Sequence, residues 1–285
     1  MGISDRLYIA HGENSLGAPA QDMSSTLGKM LRFNLDGSIP SENPFYTTLT
    51  GSRRAIYSSG LRSPFSMGID PFTGRIYFND VGQSSWEEVN DVVSGGNYGW
   101  PFRQGTNGVD PGGVTSVLPI YQYPHSGPEP FLGCAITAGT FYHPGNTGFP
   151  GEYYGKYFFS DYCEGWIGLL DPTDNSVTRF ADGDGSLNIV DMKVNRDGEL
   201  YFLQLRGGRV SKITHTGTEL APVIVSQPED VLAPVGSDAS FSFSTVGSFP
   251  LTYQWKRNGM YIIGANAPSY TLNNVQLGDN GTIFE

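Results

Sequence analysis

The fold is decided by one stretch, Arg54 to Pro101, which reads RAIYSSGLRSPFSMGIDPFTGRIYFNDVGQSSWEEVNDVVSGGNYGWP. It contains short runs of β-forming residues between glycine-marked turns, and no apolar repeat of helical period. The Ile-Tyr-Phe run at 76–78 leaves the turn at Gly74 as a strand, and the polar run at 79–83 ends it. Such a polar strand end, with a glycine that lets a ligand approach the backbone, is a typical place for a binding site.

The same pattern recurs along the chain. Four units with this pattern begin at Asp5, Gly74, Gly155 and Asp197. Each unit consists of a turn with glycine or an acidic residue, a short strand containing tyrosine, a polar end and a second strand. This irregular repetition is typical of a β-propeller, and a β-sandwich or a run of unrelated hairpins is the alternative. The 38 glycines, the 19 prolines and the 13% of aromatic residues also favour many short strands joined by turns. We therefore predict an all-β protein.

Length and charge limit the partners. A chain of 285 residues is long enough for one large domain or two ordinary ones. The formal net charge of −11 disfavours nucleic acid and anionic membrane surfaces, because both need a basic face. No apolar run reaches the length of a membrane span. A small neutral or cationic ligand fits this charge better.

The chain has two cysteines, Cys134 and Cys163, and neither belongs to a Cys-x-x-Cys pair. In an acidic, strand-rich chain they predict a single disulfide formed in an oxidising compartment, and two buried free thiols are the alternative. We therefore expect a secreted or periplasmic protein, although no signal peptide is visible at the first residues.

Four ordered segments resemble the glucose/sorbosone dehydrogenase family of quinoprotein β-propellers. They are GKMLRFNLDGSIPSENPF (28–45), GLRSPFSMGIDP (60–71), the block 80–90, and GGNYGWP (95–101). The resemblance covers roughly residues 1–217 and implies a partial propeller of about three and a half blades out of a six-bladed family fold. The repeated strand–turn units give complete blades at about 52–98, 117–170 and 176–214, after the last two strands of an earlier blade. We therefore expect the chain to begin inside a blade.

Residues 222–285 resemble a bacterial immunoglobulin-like domain. The resemblance implies one strand carrying Phe241 and Phe243, a core tryptophan, Trp255, on the next strand, and a corner at 279–281. The segment lacks both cysteines of antibody-type domains and ends before the last strands, so we expect a partial β-sandwich. A carbohydrate or protein partner is expected to bind through it.

The family resemblance also implies roles for polar residues. Glu13 aligns with the carboxylate that orients a proton-accepting histidine, and a solvated loop acid is the alternative. That histidine belongs to a His-Asn-Gly-Gly segment, which the alignment places before Met1; His11 lies past the strand and is interpreted as an ordinary loop histidine. Arg62 and Ser63 align with residues lining the cofactor site, and an arginine that only binds strand-end carbonyls is the alternative.

A calcium site is predicted in the loop after residue 80. The family's calcium ligands are largely backbone carbonyls of the loop that here reads Val81-Gly82-Gln83, and Gly82 and Gln83 are also candidate cofactor contacts. Asp80 and Glu88 add hard oxygen atoms beside it. The alternative is that Glu87 and Glu88 only solvate a strand.

Three positions depart from the family. Where its enzymes hold the cofactor carboxylates with a lysine and two arginines, this chain has Cys163, Asn188 and Val190. The leading prediction is a sugar (aldose) dehydrogenase dependent on pyrroloquinoline quinone (PQQ) and calcium, inactive in these 285 residues alone. The alternative is a non-enzymatic secreted propeller that binds carbohydrate or a protein partner.

Overall fold

The computed structural model describes residues 6–128, 130–145, 148–183, 185, 187–217, 221–247 and 251–285. The chain divides into two compact units. The first consists of Met1–His143, Gly155–Asn195 and Leu200–Ile213, and the second of Pro144–Tyr154, Arg196–Glu199 and Thr214–Glu285.

Within its described residues, the first unit contains four antiparallel sheets of three or four short strands and one two-stranded hairpin. The first sheet has the order β1 (Arg6–His11), β2 (Lys29–Asn34), β3 (Ile56–Ser59). The second has the order β4 (Pro64–Ile69), β5 (Ile76–Asp80), β6 (Trp86–Asp91), β9 (Tyr121–Pro124), with a small hairpin, β7 (Arg103–Gln104) and β8 (Asn107–Gly108), before β9. The third is β10 (Ile136–Phe141), β11 (Tyr157–Asp161), β12 (Ile167–Leu170), β13 (Val177–Ala181), and the fourth is β14 (Ile189–Val194), β15 (Leu200–Gln204), β16 (Arg209–Ile213).

These sheets are the blades of a β-propeller. The first strand of the third sheet, β10, lies beside the first strands of the second and fourth sheets, β4 and β14. The all-β propeller prediction is therefore confirmed. Its blade limits are wrong by one strand, because β3 pairs with β2 and ends the first sheet instead of starting the second. Only residues 60–63 separate β3 from β4, so no long loop marks this boundary in the sequence.

Aromatic side chains fill the space between the second and third sheets. The rings of Tyr77 and Tyr157 are fully buried and meet edge to face, with centroids 5.2 Å apart. Asn79 Nδ2 donates to Ala138 O at 2.7 Å and so connects the two sheets through a buried hydrogen bond. A smaller cluster that includes Phe78 packs between the first and second sheets. Strand β5, which carries Asp80, is buried along its whole length and is a rigid support for a site.

The predicted disulfide is present. Cys134 and Cys163 are bonded, with their α-carbons 5.7 Å apart. The bridge lies beside the fully buried carboxylate of Asp161, which accepts hydrogen bonds from the backbone N–H groups of both cysteines and from the hydroxyl of Tyr123. The alternative of two free thiols is thereby excluded.

The second unit contains three two-stranded pairs within its described residues. They are β17 (Val223–Ser226) with β19 (Ser244–Val246), β18 (Ala239–Ser242) with β22 (Ser269–Leu272), and β20 (Lys256–Arg257) with β21 (Met260–Tyr261). Trp255 is buried, as expected, and its ring lies 5.2 Å from that of Phe243. Two details of the prediction are wrong: β18 ends at Ser242, before Phe243, and Trp255 precedes β20. The two side chains pack against each other from segments outside the strands.

Short 3₁₀ helices are found at Ala18–Ala20, Gly51–Ala55, Gly151–Tyr153 and Leu277–Asp279. Among the described residues, none of the helices has the length and apolar character needed to cross a membrane.

Candidate functional site

Four of the predicted site residues meet where β5 ends and β6 begins. Asp80, the last residue of β5, is the register partner of Glu88 in β6. With Arg62 and Gly82 they line a cavity of about 10 Å³, the size of a single water molecule or ion. Ser63 is connected to them through Asp80. Gln83 lies in the same loop and is exposed.

Two carboxylates lie side by side in this site. Asp80 accepts hydrogen bonds from the backbone N–H groups of Arg62, at 2.9 Å, and of Ser63. Glu88 accepts from Gly105 N–H and from Asn90 Nδ2, the latter at 3.0 Å. Burial, together with the neighbouring charge of Glu88, raises the pKa of Asp80 to about 7, and burial also raises the pKa of Glu88. Two acids placed so close together favour a bound cation.

Gly82 is required by a close approach of the backbone. A β-carbon at this position would lie 1.7 Å from the carbonyl oxygen of Trp86. The loop is fixed by Gln104, whose Oε1 accepts the backbone N–H groups of Ser84, Ser85 and Trp86 at 3.1, 2.8 and 3.2 Å. In the part of the chain that the structure describes, no donor reaches the carbonyl oxygen of Gly82 or Gln83. Both remain available to a cation.

The third carbonyl of the predicted set, that of Val81, already has one hydrogen-bond partner. It accepts a hydrogen bond from Arg62 Nη1 at 2.6 Å. This bond agrees with the alternative in which Arg62 binds strand-end carbonyls. The guanidinium also lies 5.4 Å from the ring centroid of Trp100. Arg62 Nε and Trp100 Nε1 are nevertheless buried without an acceptor among the described residues. Two unmatched donors beside the cavity suit a hydrogen-bond acceptor supplied by a ligand or by water.

Glu87 does not solvate a strand, and that interpretation is wrong. Its side chain is fully buried, accepts Ile136 N–H at 2.9 Å, and pairs with His125 Nε2 at 2.7 Å. Burial raises the pKa of Glu87 to about 8. The backbone N–H of His125 also donates to Ser85 O at 3.0 Å. Sequence reasoning missed His125, because nothing in the sequence brings it next to a loop about forty residues earlier.

Glu13 is buried, so its interpretation as a solvated loop acid is also wrong. Its carboxylate accepts the backbone N–H groups of Leu16 and Gly17, and its own N–H donates to Arg62 O at 2.9 Å. Glu13 and Arg62 line an open cleft of about 520 Å³. His11 also lines it, and it is the last residue of β1, so its interpretation as a loop histidine past the strand is wrong. Glu13 is therefore adjacent to the Arg62 site, on the side of the first sheet.

The positions aligned with the cofactor-binding cations do not suit PQQ. Cys163 is in the disulfide, and Asn188 is buried and donates through Nδ2 to Tyr162 O at 3.0 Å. Val190 is an apolar residue of β14. Arg206 and Arg209 are exposed on the fourth sheet. Positions 163, 188 and 190 therefore offer no cation to the carboxylates of PQQ.

Among the described residues, one group of three His, Cys, Asp or Glu side chains has its ligand atoms within 4.8 Å of one another: Cys134, Asp161 and Cys163. The two sulfur atoms there form the disulfide and cannot hold an ion. A calcium site at Asp80 and Glu88 would therefore combine two side chains with backbone carbonyls.

Comparisons with known proteins agree with this architecture. A family model described as glucose/sorbosone dehydrogenase matches residues 1–212. The aldose sugar dehydrogenase YliI of Escherichia coli is 38% identical over 96 residues, which are 34% of this chain and 26% of that protein. Quinoprotein glucose dehydrogenase B of Acinetobacter calcoaceticus is 41% identical over 81 residues, 28% of this chain and 16% of that protein.

A solved structure of the soluble aldose sugar dehydrogenase of Escherichia coli, in its apo form, has the same fold. It superposes with a TM-score of 0.61 and 26% sequence identity, over 73% of this chain and 60% of that one. The chain covers less than two thirds of the length of each of these three proteins.

Proposed function

Because the chain belongs to the glucose/sorbosone dehydrogenase family, we propose that its propeller serves an oxidoreductase of the quinoprotein type that acts on a small sugar, an aldose. The observation that supports this most is the group formed by Arg62, Asp80, Gly82 and Glu88. These residues lie in the matched region, where the inner strands β5 and β6 are joined, around a cavity of ion size. Function is argued from this site because the fold alone hosts many activities.

Calcium is the cation that the site suits best. Asp80 and Glu88 would bind it through carboxylate oxygens, and Gly82 and Gln83 through backbone carbonyls. Calcium prefers six to eight oxygen ligands at about 2.3–2.6 Å, so water or a ligand would complete the shell. The ion would compensate the two neighbouring acids and keep them ionised at neutral pH.

We further propose that these 285 residues alone do not turn over sugar. No cation stands at 163, 188 or 190, and the sequence contains no His-Asn-Gly-Gly segment; its four histidines are His11, His125, His143 and His215. Loss of a general base alone typically lowers the rate by a factor of about 10² to 10⁴.

A dye-reduction assay with PQQ, calcium and an aldose tests both statements. It is run on the 285 residues and on the full reading frame in which they occur. We expect no turnover by the 285 residues, and turnover by a longer frame that adds the histidine segment. Turnover by the 285 residues would refute their inactivity. Absence of turnover by a longer frame carrying that segment would refute the oxidoreductase.

The alternative function is a non-enzymatic propeller that binds carbohydrate or protein. The absent cations favour it, as do exposed apolar side chains in the second unit, where Met260, Tyr261 and Ile263 are 74%, 71% and 99% exposed. In this interpretation residues 222–285 form the partial immunoglobulin-like domain and contact the partner. The disulfide supports secreted or periplasmic placement for either function.

A further inference from the structure

A second cleft lies at the outer strands of the second and third sheets. Its volume is about 380 Å³, which falls within the range of small-molecule sites. It lies between β9 and Val177 of β13, and Trp86 and Phe131 also line it. All eight lining residues are uncharged, in a protein whose net charge is −11. Its lining shares no residue with the cavity between Asp80 and Glu88.

The aromatic walls of this cleft are held in place. The ring of Tyr121 stands at 85° to that of Phe131, with centroids 6.1 Å apart, and Phe131 packs at 5.0 Å on the buried Trp166. The guanidinium of Arg179 lies 4.7 Å from the Phe131 ring centroid, and its Nη2 donates to Pro130 O. Little side-chain freedom would be lost when a ligand binds between such walls.

Trp86 is fixed from the opposite side. Its backbone N–H donates to Gln104 Oε1 at 3.2 Å. Gly105 approaches the indole so closely that a β-carbon there would lie 3.1 Å from Trp86 Cγ. The side chain of Trp86 is half-buried, so part of it faces the cleft.

One oriented amide adds polarity to the aromatic lining. Gln122 Oε1 accepts Thr106 N–H at 2.7 Å, and Gln122 Nε2 donates to Thr106 Oγ1 at 3.2 Å. A primary amide has two donor hydrogens and two acceptor lone pairs, so hydrogen-bonding capacity remains on each end. Thr106 fixes which end of the amide is the donor.

We propose that this cleft is a carbohydrate-binding site that takes a neutral pyranose ring. The accessible part of the Trp86 indole can pack on the apolar C–H face of a sugar ring, and the oriented Gln122 amide can pair with its hydroxyl groups. A cationic ligand would meet no opposite charge in the lining, and a wholly apolar ligand would leave the remaining hydrogen-bonding capacity of the Gln122 amide unused. The site needs neither quinone nor calcium, and it stands whether or not the propeller serves an oxidoreductase.

Saturation-transfer NMR on the 285-residue protein tests the proposal, with EDTA present and quinone absent. The probes are glucose, galactose, mannose and cellobiose at millimolar concentrations. We expect transfer from the protein to at least one of them, and a loss of affinity of about tenfold or more in Trp86→Ala. Val177→Arg, which fills the cleft with a long side chain and leaves every aromatic ring in place, should abolish the transfer.

Phe102→Ala is the matched control, because Phe102 is 45% exposed and does not line the cleft. It should bind the sugars as the unchanged protein does. Thermal denaturation shows which variants are folded. If Trp86→Ala does not fold, the Val177→Arg variant provides the test of the cleft. Absence of transfer to all four sugars would overturn the proposal, and so would transfer that persists undiminished in folded Val177→Arg.

Discussion

Lys29 is a single residue whose side chain stabilises a loop through contacts that the sequence does not predict. Its side chain is fully buried, and Nζ donates to the carbonyls of Pro19, Ala20 and Leu27 at 2.7, 2.9 and 2.9 Å. Burial lowers the pKa of Lys29 to about 8. Lysine is rarely buried, so Lys29 within the segment 28–45 predicts an exposed side chain on statistical grounds. Three carbonyl acceptors explain the exception.

Replacement of Lys29 by Met should destabilise the protein by about 2–4 kcal/mol. The substitution keeps the apolar stem and leaves three carbonyls without their donor. Urea unfolding followed by tryptophan fluorescence measures the effect. The matched control is Lys193→Met, because the Lys193 side chain is 64% exposed and pairs only with a surface aspartate. Equal stability of the two variants would show that the buried hydrogen bonds contribute nothing.

The buried acids Asp80 and Glu87 predict how stability depends on pH when no divalent cation is present. Their folded-state pKa values are raised to about 7 and about 8, against roughly 4 in an unfolded chain. Between these limits the unfolded chain has released protons that the folded chain keeps, so the free energy of unfolding falls as pH rises. The fall is complete above about pH 8.

Urea unfolding in EDTA at pH 5, 6.5 and 8 should therefore show that the free energy of unfolding falls by an amount on the order of 6 kcal/mol between pH 5 and pH 8. Glu87→Gln keeps an oxygen to accept Ile136 N–H and removes one of the two titrations, so its loss should be smaller. A free energy of unfolding that rises from pH 5 to pH 8 would contradict this interpretation of the buried acids. The same holds if Glu87→Gln shows the same dependence on pH as the unchanged protein.

At the scale of the element, the loop joining β5 and β6 is the part of the site that the sequence predicts best. A glycine at 82 indicates a close approach, and the structure agrees that no side chain fits there. The approaching group is the carbonyl of Trp86, however, and not a ligand. The sequence could not reveal this, because Gln104 pulls the N–H groups of 84–86 together from twenty residues away.

Gly82→Ala should distort this loop and lower stability by about 3 kcal/mol or more, since backbone atoms must move to remove the clash. Gly112→Ala is the matched control, because its added methyl would meet nothing within 4 Å. Differential scanning calorimetry of both variants measures the difference. If Gly82→Ala melts at the same temperature as Gly112→Ala, the geometry described for the loop is wrong.

At the scale of the whole molecule, sequence periodicity predicts the class of fold and not its division into blades. Strand–turn units identify the propeller, but pairing between strands decides that Ile56–Ser59 belongs with Lys29–Asn34. Strand pairing also decides which residues of the site come together. Asp80 and Glu88 are close in sequence, so the sequence predicts them together, whereas His125 reaches Glu87 only after β9 pairs with β6.

The two units of the chain differ in how much of their predicted character the structure and the family match support. The first unit contains most of the family match and the candidate cation site, and its sheets share buried aromatic cores. The second shows three short strand pairs around Trp255 among its described residues, so its immunoglobulin-like character stays a proposal. For the first unit, we propose that Asp80, Glu88 and the loop carbonyls bind calcium.

Isothermal titration of calcium into the EDTA-treated, dialysed 285-residue protein, paired with calorimetric melting, tests that claim most directly. We predict binding of calcium with a raised melting temperature, because an ion that binds only the folded state stabilises it. Asp80→Asn should weaken the binding at least about tenfold, whereas Asp174→Asn, at an exposed turn, should not change it. Absence of both binding heat and thermal shift in the folded protein would contradict the account, as would unchanged affinity in Asp80→Asn.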